Sequence, residues 1–264
     1  MSRELLGHTA RKRFGQNFLA DTQVIERIVR AIAPQADDAM VEIGPGLGAL
    51  THALLTHLRE LFAVELDRDL AARLRVETLI GNKLRLFEAN ALKFDFRQLA
   101  PGRALRVVGN LPYNISTPLI FHLLEQADII ADMHFMLQKE VVERMAAAPG
   151  DAAYGRLSVM VQVHCQVESL FTVPPSAFTP APKVESAIVR LQPYPERPWP
   201  AFDHRHLQAL VTQAFGQRRK TLRNALRESI DARGLEDLGI DPGARPETLS
   251  VADYVRLACS TETI

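Results

Sequence analysis

The stretch Met40-Val41-Glu42-Ile43-Gly44-Pro45-Gly46-Leu47-Gly48, followed by Ala49 to Leu58, decides how the chain folds. Met40 to Ile43 is a short apolar run stopped by glycines, and Leu50, Leu54, Leu55 and Leu58 recur at helical spacing behind it. The spacing predicts a strand, a tight loop and a helix. The same alternation continues outward. Leu61 to Val64 predicts a strand ending at Glu65, and Leu70 and Leu74 mark a helix. Lys83 to Phe87 and Leu105 to Val108 predict two more strands, and Leu119, Ile120, Leu123 and Leu124 a helix after Pro118. Met133 to Leu137 and Val141 to Met145 add one further strand and helix. Strands alternating with helices imply an α/β fold built on a mostly parallel, Rossmann-like sheet.

The pattern changes near position 165. Val167 to Val173 and Ala187 to Leu191 read as an edge hairpin, and Pro193, Pro195, Pro198 and Pro200 then interrupt all regular structure. A boundary is expected there: a Rossmann-like domain over 1–192, with an extension and first helix in 1–38, a linker over 193–202, and a small helical domain over 203–264. Leu207, Leu210, Val211 and Phe215, then Leu222, Leu226 and Ile230, then Val251 to Cys259 predict the last helices.

Composition sets limits on function. At 264 residues with 47% hydrophobic and 23% charged, the chain is an ordinary globular protein rather than a disordered or fibrous one. Its 31 basic and 31 acidic residues cancel, which argues against indiscriminate coating of nucleic acid. Charge is nevertheless segregated: residues 215–227 carry Arg218, Arg219, Lys220, Arg223 and Arg227 and no acid. Cys165 and Cys259 have no second ligand at chelating spacing, so neither a disulfide framework nor a metal site is expected. Arg3, Arg11, Lys12 and Arg13 are not followed by the apolar run of a signal peptide, and no stretch is apolar enough to span a membrane. A cytoplasmic protein without membrane contacts is expected.

Glycines at the junction of strand and helix let a ligand approach free backbone N–H groups, which suits a nucleoside-containing cofactor. Gly44, Gly46 and Ala49 satisfy the dinucleotide fingerprint, with Glu65 about twenty residues on as a ribose ligand. Glu42 ahead of three glycines spaced G-x-G-x-G favours S-adenosylmethionine, and the loop alone does not separate the two cofactors. Gly109-Asn110-Leu111-Pro112-Tyr113-Asn114-Ile115-Ser116 follows another strand. An aromatic exocyclic amine is a poor nucleophile because its lone pair is delocalised into the ring. Two acceptors holding both N–H groups would localise that pair, and the Asn110 side-chain carbonyl and the Leu111 backbone carbonyl, stiffened by Pro112, can supply them. Tyr113 can stack on the base.

With Gln16-Asn17-Phe18-Leu19, Pro175 to Val184 and Phe215-Gly216-Gln217-Arg218-Arg219-Lys220-Thr221-Leu222, these motifs resemble the ribosomal RNA adenine dimethyltransferase family over nearly the whole chain. Asn110 to Pro118 and Pro175 to Val184 are most similar to the bacterial branch that dimethylates two adjacent adenosines in a hairpin near the 3′ end of 16S rRNA. The resemblance implies S-adenosyl-L-methionine as cofactor and 16S rRNA in the small ribosomal subunit or its precursor as partner. It further implies a monomer, cofactor contacts from Asn17, Leu19, Gly44, Glu65, Asn90 and Asn110, and Phe178 stacking on the face of the base opposite Tyr113. Without it, Phe178 among prolines would read as a buried anchor. Asn90 stands where the family usually carries Asp, keeping an acceptor but losing a charge. Beside such a site, Arg218, Arg219, Lys220, Arg223 and Arg227 are expected to contact phosphates. An Erm-like 23S rRNA adenine methyltransferase, an RNA-binding assembly checkpoint and a nicotinamide-dependent oxidoreductase are the alternatives.

Overall fold

The computed structural model describes residues 4–5, 8–9, 17–76, 81–216 and 220–261. Two compact units are present: Met1–Val142 with Glu168–Pro193, and Glu143–Val167 with Tyr194–Ile264. The first holds a short strand β1 (Phe18–Leu19), helix α1 (Thr22–Ile32), then β2 (Ala39–Ile43), α2 (Ala49–Leu55), β3 (Leu61–Glu65), α3 (Arg68–Val76) and β4 (Leu84–Glu88). It continues with β5 (Leu105–Asn110), α4 (Ser116–Leu124) and β6 (Ile130–Gln138), from which α5 (Lys139–Ala146) leads into the second unit. Helix α6 (Arg156–Gln162) comes before the last strands, β7 (Cys165–Val173), the two-residue β8 (Phe178–Thr179) and β9 (Ser186–Pro193).

Seven strands form one sheet in the order β4-β3-β2-β5-β6-β9-β7. The first five are parallel and β9 runs antiparallel to β6, with Ser186 opposite Gln138 and Ile188 opposite Met136. Each parallel neighbour is reached through a crossover, as a parallel ladder requires. Met40, Val108, Met136 and Ile188 point to one face, where Ile28 and Ile32 of α1 and Leu50 and Leu54 of α2 bury against them. Helix α1 begins where Asp21 accepts hydrogen bonds from the N–H groups of Gln23 and Val24, and it ends at Ala33 with φ 49° before Pro34. This is a side-chain N-cap followed by a left-handed stop.

One polar cluster ties these layers together. Arg106 on β5 donates from Nε and Nη2 to both oxygens of Asp132 on β6 (2.9 and 3.0 Å). Its Nη1 reaches Asp38 Oδ2 at 2.6 Å and its Nη2 the Ile32 carbonyl at 2.6 Å, so one guanidinium joins α1, the entry to β2, β5 and β6.

In the second unit α6 packs with α7 (His204–Phe215) and α10 (Val251–Thr261). Val159 and Val161 of α6 are buried, as are Leu207, Leu210 and Val211 of α7 and Tyr254 and Val255 of α10. The expected boundary at 193–202 therefore needs correction. The chain does pass into this unit at Tyr194, but residues 143–167 belong to it as well, because α6 finds its apolar partners on the C-terminal helices. The expected helix through Leu222, Leu226 and Ile230 is also shorter, α8 spanning Leu222–Ala225. Asp231 accepts from the Gly234 N–H to start α9 (Ala232–Asp237), so the chain turns before it. Among the described residues no helix is long and apolar enough to cross a membrane.

Candidate active site at the carboxyl ends of the central strands

From β2 the chain moves to β3 on one side, and from β5 it moves to β6 on the other. The crevice between the ends of β2 and β5 is thus a topological switch point, where open α/β sheets bind ligands. Two glycines shape it. Gly46 has φ 59°, and a Cβ there would lie 3.3 Å from the Phe18 ring. A Cβ on Gly109 would lie 2.6 Å from the Ile43 carbonyl, so only glycine lets β5 end against the start of the glycine loop.

A cavity of about 280 Å³ opens there. Asn17, Leu19, Gly44, Glu65, Asn90, Asn110, Leu111 and Tyr113, all expected from sequence, line it together. Glu65 is held on both oxygens: Gly46 N–H donates to Oε2 at 3.1 Å and Asp67 N–H to Oε1 at 2.8 Å. Burial pushes its carboxyl above the usual range, and those hydrogen bonds oppose the rise. Glu42 is buried beneath the loop, where Thr51 Oγ1 donates to its Oε2 at 2.6 Å. Burial pushes Glu42 up to about 7 against that hydrogen bond, with Glu65 adding to the rise.

The sign of the pH effect follows. As pH rises from 4.5, the unfolded chain ionises Glu42 first, so its contribution to stability is whole below 4.5 and lost by about 7. The loss amounts to about 3 kcal/mol at ~1.4 kcal/mol per unit. Glu42→Gln, whose carbonyl still accepts from Thr51, is expected to flatten this part of the profile in denaturant titrations between pH 5 and 8. Parallel profiles for the two proteins would remove Glu42 as its source.

Asn110 sits at the end of β5, and its Nδ2 donates to the Asn17 carbonyl at 3.0 Å. The amide is thereby turned so that Oδ1 remains the acceptor. The Leu111 N–H donates to the Met136 carbonyl at 3.2 Å, which holds the Asn110–Leu111 peptide in place, one unit before the Leu111 carbonyl. Tyr113 is partly buried at the cavity wall, and its hydroxyl shares a 2.7 Å hydrogen bond with Ser186 Oγ. Burial raises its pKa, so the phenol stays protonated. Asn90 Oδ1 accepts from the Leu92 N–H at 3.0 Å and caps the turn Ala91–Lys93. One of the two acceptor positions of its carbonyl is therefore engaged by the backbone.

Phe178 departs from expectation. β8 pairs with β1 so that Phe178 lies opposite Leu19, and the ring is buried with Leu19, Val173 and Ala177. The two side chains share one face of this short ladder and one apolar cluster; Leu19 reaches the cavity wall, and Phe178 is not among the residues that line it.

Phe18, Leu66, Thr51 and Ser186 were not expected at the site. Leu66 carries a signal, as an apolar residue directly after Glu65 at a strand end, and it is half-exposed at the cavity wall. In the second unit Lys220, Arg223 and Arg227 are exposed. Arg218 and Arg219, like Arg11, Lys12, Arg13 and Gln16, lie outside the described residues. No group of three or more His, Cys, Asp or Glu among the described residues is placed to hold a metal ion.

Two solved structures share this architecture across most of the chain. A dimethyladenosine transferase from Plasmodium falciparum superposes with a TM-score of 0.78 at 26% identity, covering 93% of this chain and 97% of its own. The 23S rRNA methyltransferase ErmE gives 0.74 at 26% identity, covering 94% and 100%. The fold is that of a Rossmann-like methyltransferase. The family model for ribosomal RNA adenine dimethylase matches residues 7–262, and the chain belongs to that family. Two curated relatives, each named Ribosomal RNA small subunit methyltransferase A, are similar over nearly their full length. The one from Marinobacter nauticus is 61% identical across 96% of this chain and 91% of its own, and the one from Chromohalobacter salexigens 59% across 98% and 93%.

Proposed function

We propose that the protein transfers methyl groups from S-adenosyl-L-methionine to N6 of two adjacent adenosines in the hairpin near the 3′ end of 16S rRNA. The observation that carries this reading is the Asn110 amide, turned by the Asn17 carbonyl to keep Oδ1 as acceptor at the cavity that Leu111 and Tyr113 also line. The residues fit the cofactor. A Cβ on Gly44 would meet nothing within 4 Å, so the backbone there is open to a ligand. Glu65 presents a fixed carboxylate for ribose hydroxyls and Leu66 an apolar surface for a purine. S-adenosyl-L-methionine supplies, when bound, an electrophilic methyl on a sulfonium.

The chain's own part is positioning. Asn110 Oδ1 and the Leu111 carbonyl hold the two N6 hydrogens of adenine, and Tyr113 supports the ring. Stacking on one aromatic returns about 1–3 kcal/mol per base, which offsets part of the cost of extruding it. No base is needed, since the proton leaves once the methylated nitrogen is cationic. Identity near 60% to small-subunit methyltransferases, against 26% to ErmE, supports the small-subunit substrate over the 23S alternative. Mapping N6,N6-dimethyladenosine in rRNA from cells with and without the protein tests this directly. Loss of the mark from 16S rRNA is expected, and its persistence, or its loss from 23S rRNA instead, would overturn the reading.

Arg218, Arg219, Lys220, Arg223 and Arg227 are proposed to contact the RNA backbone. If all five pair with phosphates, log affinity against log salt should fall with a slope of about −3.5, at roughly −0.7 per contact for single strands. Replacing Lys220, Arg223 and Arg227 together by Gln is expected to flatten that slope by about 2. An unchanged slope would remove the exposed three from the interface. A cytoplasmic monomer acting on the small subunit or its precursor completes the proposal.

A further inference from the structure

Tyr113 is fixed at both ends. Its main-chain carbonyl accepts from Ser116 Oγ at 3.1 Å, at the start of α4, and the Ile115 N–H donates to the Pro112 carbonyl at 3.1 Å to close the turn beneath it. Its hydroxyl reaches past the end of β6 to Ser186 on β9, 2.7 Å away and 73 residues on. Ser186 is wholly inaccessible to solvent, sits in ladder register with Gln138, and makes no other side-chain hydrogen bond among the described residues. A serine hydroxyl needs no aromatic partner to fold a strand end. Here it meets the far end of a ring whose near end is already held, and that ring lines the cavity.

We propose that Ser186 is a positioning residue that locks the plane of Tyr113, and that this lock governs the second methyl transfer more than the first. The inference rests on the reading of Tyr113 as the support for the target adenine. Unmodified adenine offers two N6 hydrogens, one for Asn110 Oδ1 and one for the Leu111 carbonyl. After one methylation a single hydrogen remains, so one acceptor loses its partner. The stacked ring must then supply more of the orientation, and a ring free to tilt supplies less of it.

The test is single-turnover methyl transfer to small-subunit particles lacking the modification. The protein and its Ser186→Ala, Tyr113→Phe, double and Tyr113→Ala variants are compared, with N6-monomethyl- and N6,N6-dimethyladenosine resolved and cofactor affinity titrated separately. Losing one hydrogen bond is expected to slow the second transfer about fivefold to tenfold and the first by less, so that monomethyladenosine accumulates. Ser186→Ala and Tyr113→Phe should match, the double variant should be no slower than either, and cofactor affinity should not move. An unchanged ratio of mono- to dimethyl product in Ser186→Ala, or additive losses in the double variant, overturns the lock. Should Ser186→Ala fail to fold, Tyr113→Phe removes the same hydrogen bond from the other side, and its product ratio decides. Wild-type rates in Tyr113→Ala would instead overturn the stacking reading on which the lock depends.

Discussion

Replacing Asn110 by alanine is expected to lower methyl transfer by at least about a hundredfold, the scale of loss when a reacting group is misplaced by roughly an ångström. The change removes the acceptor at the end of β5 and its hydrogen bond to the Asn17 carbonyl, while taking away no large apolar group. Unfolding midpoint and circular dichroism should therefore stay close to wild type. Asn110→Asp separates the two duties of the side chain. It keeps an acceptor but loses the donor to Asn17 and sets a negative charge against a carbonyl oxygen, so it too should be severely slowed. Near-wild-type turnover in Asn110→Ala would take Asn110 out of the chemistry.

Arg106→Ala is expected to cost the most stability, about 3 kcal/mol, the lower end of the range for breaking a buried ion pair. The lower end applies because the Arg106 side chain retains 15% exposure. The loss arises less from the vanished attraction than from what stays behind. Asp132, at 10% exposure, and Asp38, at 20%, would keep their charges without a cation, and the Ile32 carbonyl would lose its donor. Replacing Asp132 by Asn in the Arg106→Ala background should recover part of the loss in urea titrations. A further fall on adding that second change would show that the carboxylate was not the source. Arg106 and Asn110 share one strand, so the pair also tests whether the base of β5 can be loosened without moving its active end.

The parts of the site that could be read from sequence were local. Gly44 to Gly48, Glu65 and Asn110 to Tyr113 each sit at a strand end, where residue type and spacing state the chemistry within a few positions. What escaped was carried across long separations. The Asn17 carbonyl lies 93 residues from Asn110 and Ser186 lies 73 from Tyr113, and nothing near either residue announces its partner. The burial of Phe178 is of the same kind, since it comes from a pairing with Leu19, 159 residues earlier in the chain. Residues 143–167 carry no local mark of membership in the second unit either. The apolar positions of α6 would suit any hydrophobic neighbour, and the packing with α7 and α10 selects one. Asn90 was legible as an acceptor, but not as one already engaged by the Leu92 N–H.

The bond from Asn110 to the Asn17 carbonyl has a meaning in populations. The two ends of a side-chain amide are nearly identical in size, so an untethered asparagine would divide its time between two orientations, and only one presents oxygen to an incoming amine. A single donor bond to a carbonyl removes the other orientation, because oxygen facing oxygen is repulsive. A stretch of chain 93 residues away thereby sets which end of this amide the cavity meets, and on the proposed function that orientation sets the share of molecules able to react at any instant.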